Sequence, residues 1–301
     1  MKNFNLSWIV ATLGKSKELE KIFKTALNLT KKYNVKLELI FSLPPGENLN
    51  KKNIYKYKNQ NFKFLILNCP QKGQVFQRDF ALKYASYETI LFSDDDIQIS
   101  SKNVFKLLEI KMSLPFNSVI GPKLIPYKKN LKPIYPDTLL LEMGFPINLI
   151  KKFLNIKSLG SGESTDLGIG SSFYNINKNI FPVGWLPGAF TIHTKENIFL
   201  SDIYSWKGKA YAEDYFQAIS LRRQNINYFF IKDITYKCDL TFSNTINLFK
   251  KIKDFYLTFI RIYQVQYRLY KRSINLKLII YFILIIIYKI KIIINFKSLK
   301  N

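Results

Sequence analysis

The apolar positions change period repeatedly along the chain, between the runs expected of buried strands and the three-to-four spacing expected of helices. Residues 7–12 (SWIVAT) form an apolar run typical of a strand covered on both faces. Gly14, Lys15 and Ser16 make a turn. Leu19, Ile22, Phe23, Ala26 and Leu27 then recur at helical spacing, which predicts a helix over 17–33. Glu18 and Glu20 in its first turn suit the helix dipole. Residues 35–43 read as a second strand, stopped by Pro44, Pro45 and Gly46. The alternation repeats: a strand over 63–68, a helix over 74–86 carrying Phe76, Phe80, Ala81, Leu82 and Ala85, and a short apolar strand over 88–93 that ends in Asp94, Asp95 and Asp96. Such alternation predicts an α/β fold with a mostly parallel sheet flanked by helices on both faces. Ligands bind such sheets beyond the carboxyl ends of strands, where these aspartates fall.

Later segments are less regular. Residues 117–125 look like another strand, and 126–184 are irregular and rich in Pro, Gly, Ser and Asn, the mark of a functional loop region. Residues 188–199 read as strand then helix start, 214–223 as a helix, and 228–231 as a closing strand. The end of the chain differs in kind. Leu248, Phe249, Ile252, Phe255, Phe259 and Ile262 fall at roughly helical spacing among Lys and Arg, and 278–288 carry no charge. Eleven residues are too few to span a bilayer, which takes about 20. Lys289 and Lys291 interrupt where a span would continue, although snorkelling would stretch 276–296 into a marginal one. A basic helix lying in a membrane interface is the favoured reading of this tail, ahead of a helix or strand packed on the domain. The domain organisation expected is therefore 1–245 as one catalytic domain and 246–301 as a basic, apolar helical region.

Charge and composition narrow the chemistry. The net charge is +25, and residues 246–301 hold twelve Lys or Arg against one acid, Asp254. A basic surface attracts polyanions, although heavy use of Lys throughout accounts for part of the excess. The chain has two cysteines, Cys69 and Cys238, and one histidine, His193. A disulfide framework and a Cys/His zinc site are thereby disfavoured. There is no GxSxG for a serine triad and no GxxxxGK[ST] phosphate loop. Carboxylates must carry any catalysis.

Three elements carry chemistry. Asp94, Asp95 and Asp96 are like charges crowded at a strand end, and no residue beside them is cationic. A divalent cation, Mn²⁺ or Mg²⁺, relieves that repulsion through oxygen ligands and fills its other positions with water and phosphate oxygens. Asp94 and Asp96 are two apart, so an extended backbone turns them to one side, one for metal and the other for nucleotide or sugar hydroxyls. A solvated acidic turn is the plain alternative. Glu213 and Asp214 open a helix, where an anion is stabilised and an ordinary N-cap is the simpler explanation. In 184–190 (GWLPGAF), glycines such as Gly188 permit close backbone approach. Trp185 there offers a ring for stacking on a sugar, or a buried turn residue.

The order QVFQRDFALKYASYETILFSDDD, then GWLPGAF, then AEDYFQAISLRR resembles the large inverting family 2 of nucleotide-sugar transferases, of GT-A fold, over about residues 5–240. That resemblance implies that Asp96 ligates the metal and that Asp94 and Asp95 contact nucleotide, ribose or metal. It places Arg78 on the helix that approaches the donor, makes Asp214 the general base and Glu213 its acceptor-positioning neighbour, and implies inversion at the sugar. Two features depart from the family pattern. The second strand ends in Phe41, Ser42 and Leu43, where an acid is common, and 224–245 contain no histidine. The partners expected are a nucleotide-sugar donor, a glycan or lipid-linked acceptor and an anionic membrane surface, with no specific nucleic acid. The expected location is the cytoplasm, peripheral to the inner face of the cell membrane. A metal-dependent nucleotidyltransferase and a non-enzymatic basic membrane or nucleic-acid binder are the competing classes.

Overall fold

A computed structural model describes residues 3–15, 17–49, 61–127, 161–163, 173, 176–198 and 213–238, with 279, 280 and 283. Its strands β1 (Phe4–Ala11), β2 (Val35–Leu43), β3 (Phe62–Asn68) and β4 (Thr89–Ser93) are the apolar runs of the first third of the chain. They alternate with helix α1 (Leu19–Tyr33) and helix α2 (Gln74–Leu82). Strand β5 (Ile97–Gln98), helix α3 (Ser101–Ser113) and strand β6 (Ser118–Pro126) follow. The rest comprises β7 (Ile180–Val183), β8 (Phe190–Thr194), a 3₁₀ turn at Lys195–Asn197, α4 (Glu213–Arg222) and β9 (Asn227–Cys238).

Among the described residues nine strands form one sheet in the order β3-β2-β1-β4-β8-β6-β9-β5, with β7 also paired to β9. The β1–β2, β1–β4, β2–β3 and β6–β9 pairs are parallel and make up most of the paired length; β8, β5 and β7 join antiparallel. The fold is α/β with a mostly parallel sheet, as the alternating pattern predicts. β1 is followed outward by β2 and β3 on one side, while β4 returns to its other side. The carboxyl ends of β1 and β4 therefore meet at a topological switch point, the place such sheets use for ligands.

Strand alternation divides the core between the two faces of the sheet. Leu6, Trp8 and Val10 pack with Ile22, Phe23 and Ala26 of α1 and Val104, Leu107 and Leu108 of α3. Ile9, Ile40, Ile90 and Phe92 pack with Ala81 of α2 and with Ala85. Trp8 is fully buried, and its indole N–H donates to Ser93 Oγ at 2.8 Å, which ties β1 to β4 one residue before the aspartates. Gly14 turns the chain after β1 with φ +75, and a Cβ there would stand 2.6 Å from the carbonyl oxygen of Asn48, so only glycine fits.

Several elements differ from expectation. α3 was not foreseen, although Ser100 caps it by accepting from the Asn103 N–H at 3.1 Å. The segment 126–184 was expected to be irregular, yet its end forms β7, paired antiparallel with β9. β9 runs well past the predicted 228–231, and α2 stops at Leu82 rather than 86.

All these strands and helices lie in one compact unit, Met1–Pro133 with Ile176–Ser243. The predicted boundary at 245/246 and nearly all of the tail fall outside the described residues. Of 246–301, residues 279, 280 and 283 are described as helical, with Ile279 and Ile283 exposed. Among the described residues no helix is long and apolar enough to cross a membrane.

Candidate active site

The three aspartates sit where β4 ends and the chain turns into β5. Asp95 and Asp96 lie in that turn, so Asp94 and Asp96 do not share one side of an extended strand as expected. The turn sends each carboxylate to a different partner. Asp94 Oδ1 accepts from the Arg78 guanidinium at 2.7 Å and from the Gln74 amide. Asp95 Oδ2 accepts from the Thr12 hydroxyl at the end of β1. Asp96 Oδ1 meets the Cys238 thiol at 3.4 Å.

The expectation that no cation stands beside the triplet is corrected by α2. Gln74 and Arg78 are four apart on that helix, so one helical face delivers both to Asp94. Arg78 is 6% exposed, and the same Nη2 also donates to the carbonyl of Gly188 at 2.9 Å. No cation pairs with Asp96 among the described residues.

The remaining negative charge shows in the proton affinities. Burial, then the charges of Asp94 and Asp95, push the Asp96 carboxyl up to about 6. Burial also raises Asp95, against the pull of the Thr12 hydrogen bond. Among the described residues no three His, Cys, Asp or Glu side chains converge to enclose an ion. The donor set is one of sparse carboxylates at the carboxyl end of β4, which fits a hard divalent cation whose other ligands are water and phosphate oxygens rather than a closed protein cage.

Glu213 and Asp214 occupy the first turn of α4, more than a hundred residues after the triplet, yet they reach the same place through Gly188. The Gly188 N–H donates to Asp214 Oδ2 at 3.4 Å, while its carbonyl accepts from Arg78. A Cβ on Gly188 would meet Asp214 Cβ at 3.5 Å, Arg78 Nη1 at 3.6 Å and Glu213 Oε1 at 3.8 Å. These are ordinary contact distances, so what Gly188 brings to the cluster is its backbone N–H and carbonyl. Asp94 is near as well, since its N–H donates to the Ala189 carbonyl at 3.0 Å and its charge raises the Glu213 carboxyl.

Both acidic groups of α4 are raised, in each case chiefly by burial. The two are not equal. Asp214 accepts from the N–H groups of Tyr215 and Gly188, which favours its ionised form, while the neighbouring Asp214 charge holds a proton on Glu213. The two carboxyls therefore differ in their hold on a proton, Glu213 keeping it more strongly than Asp214.

Two other residues stand apart. Trp185 is 2% exposed, with its ring 4.3 Å from that of Tyr215. His193 is fully buried on β8, bonded to Thr191 Oγ1, and burial lowers it to about 3. Sequence reasoning missed Thr12, Gln74 and Cys238. Gln74 was findable from its four-residue spacing to Arg78, whereas the other two become visible only when strands are paired.

No protein-family model matches the sequence, and no curated protein matches it closely enough to count as a relative. Solved structures do resemble it. A crystal structure of GalNAc-T7 with UDP, GalNAc and Mn²⁺ superposes with a TM-score of 0.51 at 11% identity, covering 78% of this chain and 44% of that one. Residues 1–349 of TarS from S. aureus give 0.47 at 18% identity over 88% and 66%, and a longer TarS structure gives 0.48 at 17% over 86% and 39%. The chain spans less than two thirds of the length of each. With the switch-point sheet, the superposition on GalNAc-T7 shows that this chain has a GT-A-like glycosyltransferase fold.

Proposed function

We propose that the chain is a metal-dependent glycosyltransferase that moves a sugar from a nucleotide-sugar donor to a glycan or lipid-linked acceptor with inversion. The observation that carries this reading is the bridge through Arg78 and Gly188, which joins the strand-tip aspartates to the carboxylates of α4. Such a site holds two distinct resources side by side: carboxylates suited to a cation, and an ionised base with a protonated partner. The bound UDP and Mn²⁺ of the GalNAc-T7 structure fit that division of labour.

Asp96, with Asp94 beside it, would hold Mn²⁺ or Mg²⁺, and Asp95 with Arg78 would position the nucleotide end of the donor. The metal supplies charge neutralisation for the departing diphosphate. Asp214 takes the proton of the acceptor hydroxyl as that oxygen bonds to the anomeric carbon and the bond to the diphosphate oxygen breaks. Glu213, carrying its proton, hydrogen-bonds and orients the acceptor. Attack from the face opposite the leaving group inverts the anomeric centre. The catalytic portion is assigned to 1–245. The basic tail, in which Ile279 and Ile283 are exposed one helical turn apart, is assigned to an anionic membrane surface at the cytoplasmic leaflet.

The test is a screen of nucleotide sugars with Mn²⁺ or Mg²⁺, reading the nucleotide product. Release of nucleoside diphosphate supports the proposal. Release of pyrophosphate assigns the chain to nucleotidyl transfer instead, and no metal-dependent turnover with any donor sinks the enzymatic reading.

A further inference from the structure

Cys238 and Asp96 are held together by more than their own contact. Cys238 is the last residue of β9 and pairs with Ile97 of β5, the residue after Asp96. Tyr127 clamps both partners: its N–H donates to the Cys238 carbonyl at 3.2 Å, and its hydroxyl donates to the Asp96 carbonyl at 3.1 Å. The strand register and this clamp fix the thiol 3.4 Å from Asp96 Oδ1, with Cys238 only 6% exposed. A thiol is a weak donor, so a hydrogen bond alone is a modest return for so firm a placement.

The separation has a second meaning. With metal bonds of about 2.3 Å to sulfur and about 2.1 Å to oxygen, two ligands of one ion stand about 3.1 Å apart at a right angle and about 3.6 Å apart at a tetrahedral angle. The 3.4 Å between Sγ and Oδ1 lies between those limits. Asp96 also has no cation paired with it among the described residues.

We propose that Cys238 is a further protein ligand of the metal held at Asp96, adding one sulfur to the carboxylate oxygen there, with the diphosphate and water filling the rest. This rests on the reading of Asp96 as a metal ligand. On binding, the thiol gives up its proton to solvent and the thiolate takes the coordination position. A sulfur ligand shifts preference toward softer cations, so the site binds Cd²⁺ or Co²⁺ in preference to Mg²⁺ more strongly than an all-oxygen site does.

The experiment uses the full chain without donor or acceptor. Mn²⁺ binding is read by electron paramagnetic resonance, and Cd²⁺ or Co²⁺ binding by thiolate-to-metal charge-transfer absorption. The wild type and Cys69→Ser, which alters the other buried cysteine, are expected to show the absorption. Cys238→Ser and Cys238→Ala are expected to lose it and to bind Cd²⁺ at least tenfold more weakly, since even outer-shell partners of a metal are worth about that much. Their melting curves report whether the fold is kept. Full absorption in a folded Cys238→Ser or Cys238→Ala protein, or none in the wild type, overturns the sulfur ligand while leaving Asp96 standing if Asp96→Asn abolishes Mn²⁺ binding. Undiminished Mn²⁺ binding in Asp96→Asn overturns the reading of Asp96 and this proposal with it.

Discussion

Replacing Asp96 by asparagine should stabilise the metal-free protein, and only at neutral or alkaline pH. The Asp96 carboxyl is raised from an ordinary 3.8 to about 6, chiefly by burial and then by Asp94 and Asp95. A raised carboxyl means that the folded state holds the proton more tightly than the unfolded one. Well below pH 3.8 both states are protonated and the group costs nothing. As pH rises toward 6 the unfolded chain ionises first, and the fold loses stability; above 6 the loss is complete. Two units correspond to about 3 kcal/mol at roughly 1.4 kcal/mol each. Solvent screening of this partly exposed side chain reduces that to about 1–2 kcal/mol. The amide removes the charge at nearly constant shape and forfeits only a weak thiol contact. In chelator at pH 8, Asp96→Asn should therefore melt about 3–6 °C above wild type. At pH 3 the two should melt together. Calorimetry with EDTA at both values provides the check. A variant less stable than wild type at pH 8, or shifted equally at both pH values, would show that Asp96 is not a carboxylate held against its neighbours, and the electrostatic case for a cation would fail.

Other consequences concern catalysis and location. Asp214→Asn should lower kcat by about 10²–10⁴, the range for loss of a general base, while donor binding by calorimetry stays within a few-fold; near-normal turnover would remove Asp214 from that role. Activity should fall as pH drops through the raised Asp214 value, because the base must be ionised. The Arg78 charge holds that value down, so Arg78→Gln should move the acidic limb of the kcat/KM profile to higher pH; a limb displaced to lower pH would contradict the assignment. Gly188→Ala places a methyl at ordinary contact distance from Asp214, Arg78 and Glu213, so both melting and kcat should change little; a kcat loss of about tenfold or more would contradict that geometry. A chain ending at residue 245 should lose sedimentation with vesicles of anionic lipid that the full chain retains; equal sedimentation of both would refute a membrane role for the tail.

The first half of the sheet was legible because its strands are buried on both faces and its helices on one, so burial writes the period directly into the sequence. β2 matches its predicted range residue for residue, and α1 ends where expected. α3 escaped notice although Val104, Leu107, Leu108 and Lys111 keep helical spacing behind a serine cap. β7 escaped for a different reason. Its four residues include Pro182, and they form a strand through pairing with β9, a partner some fifty residues away. The same distinction governs the site. Asp94, Asp214 and Arg78 announce themselves by residue type and position on an element. That Gly188 joins them, and that Asp96 faces a cysteine, depends on which strands lie side by side. Trp185 is buried, and in the sequence an aromatic ring beside glycines reads alike as a sugar platform and as core.

The central claim is that the strand-tip carboxylates hold a cation that in turn holds a nucleoside diphosphate. It is tested most directly by thermal melts of the full chain with a panel of nucleoside diphosphates, each with Mn²⁺ and with chelator. Stabilisation by at least one of them that requires Mn²⁺, and that disappears in Asp96→Asn, is the predicted result. Equal stabilisation with and without the metal, or full retention of the effect in Asp96→Asn, would contradict it.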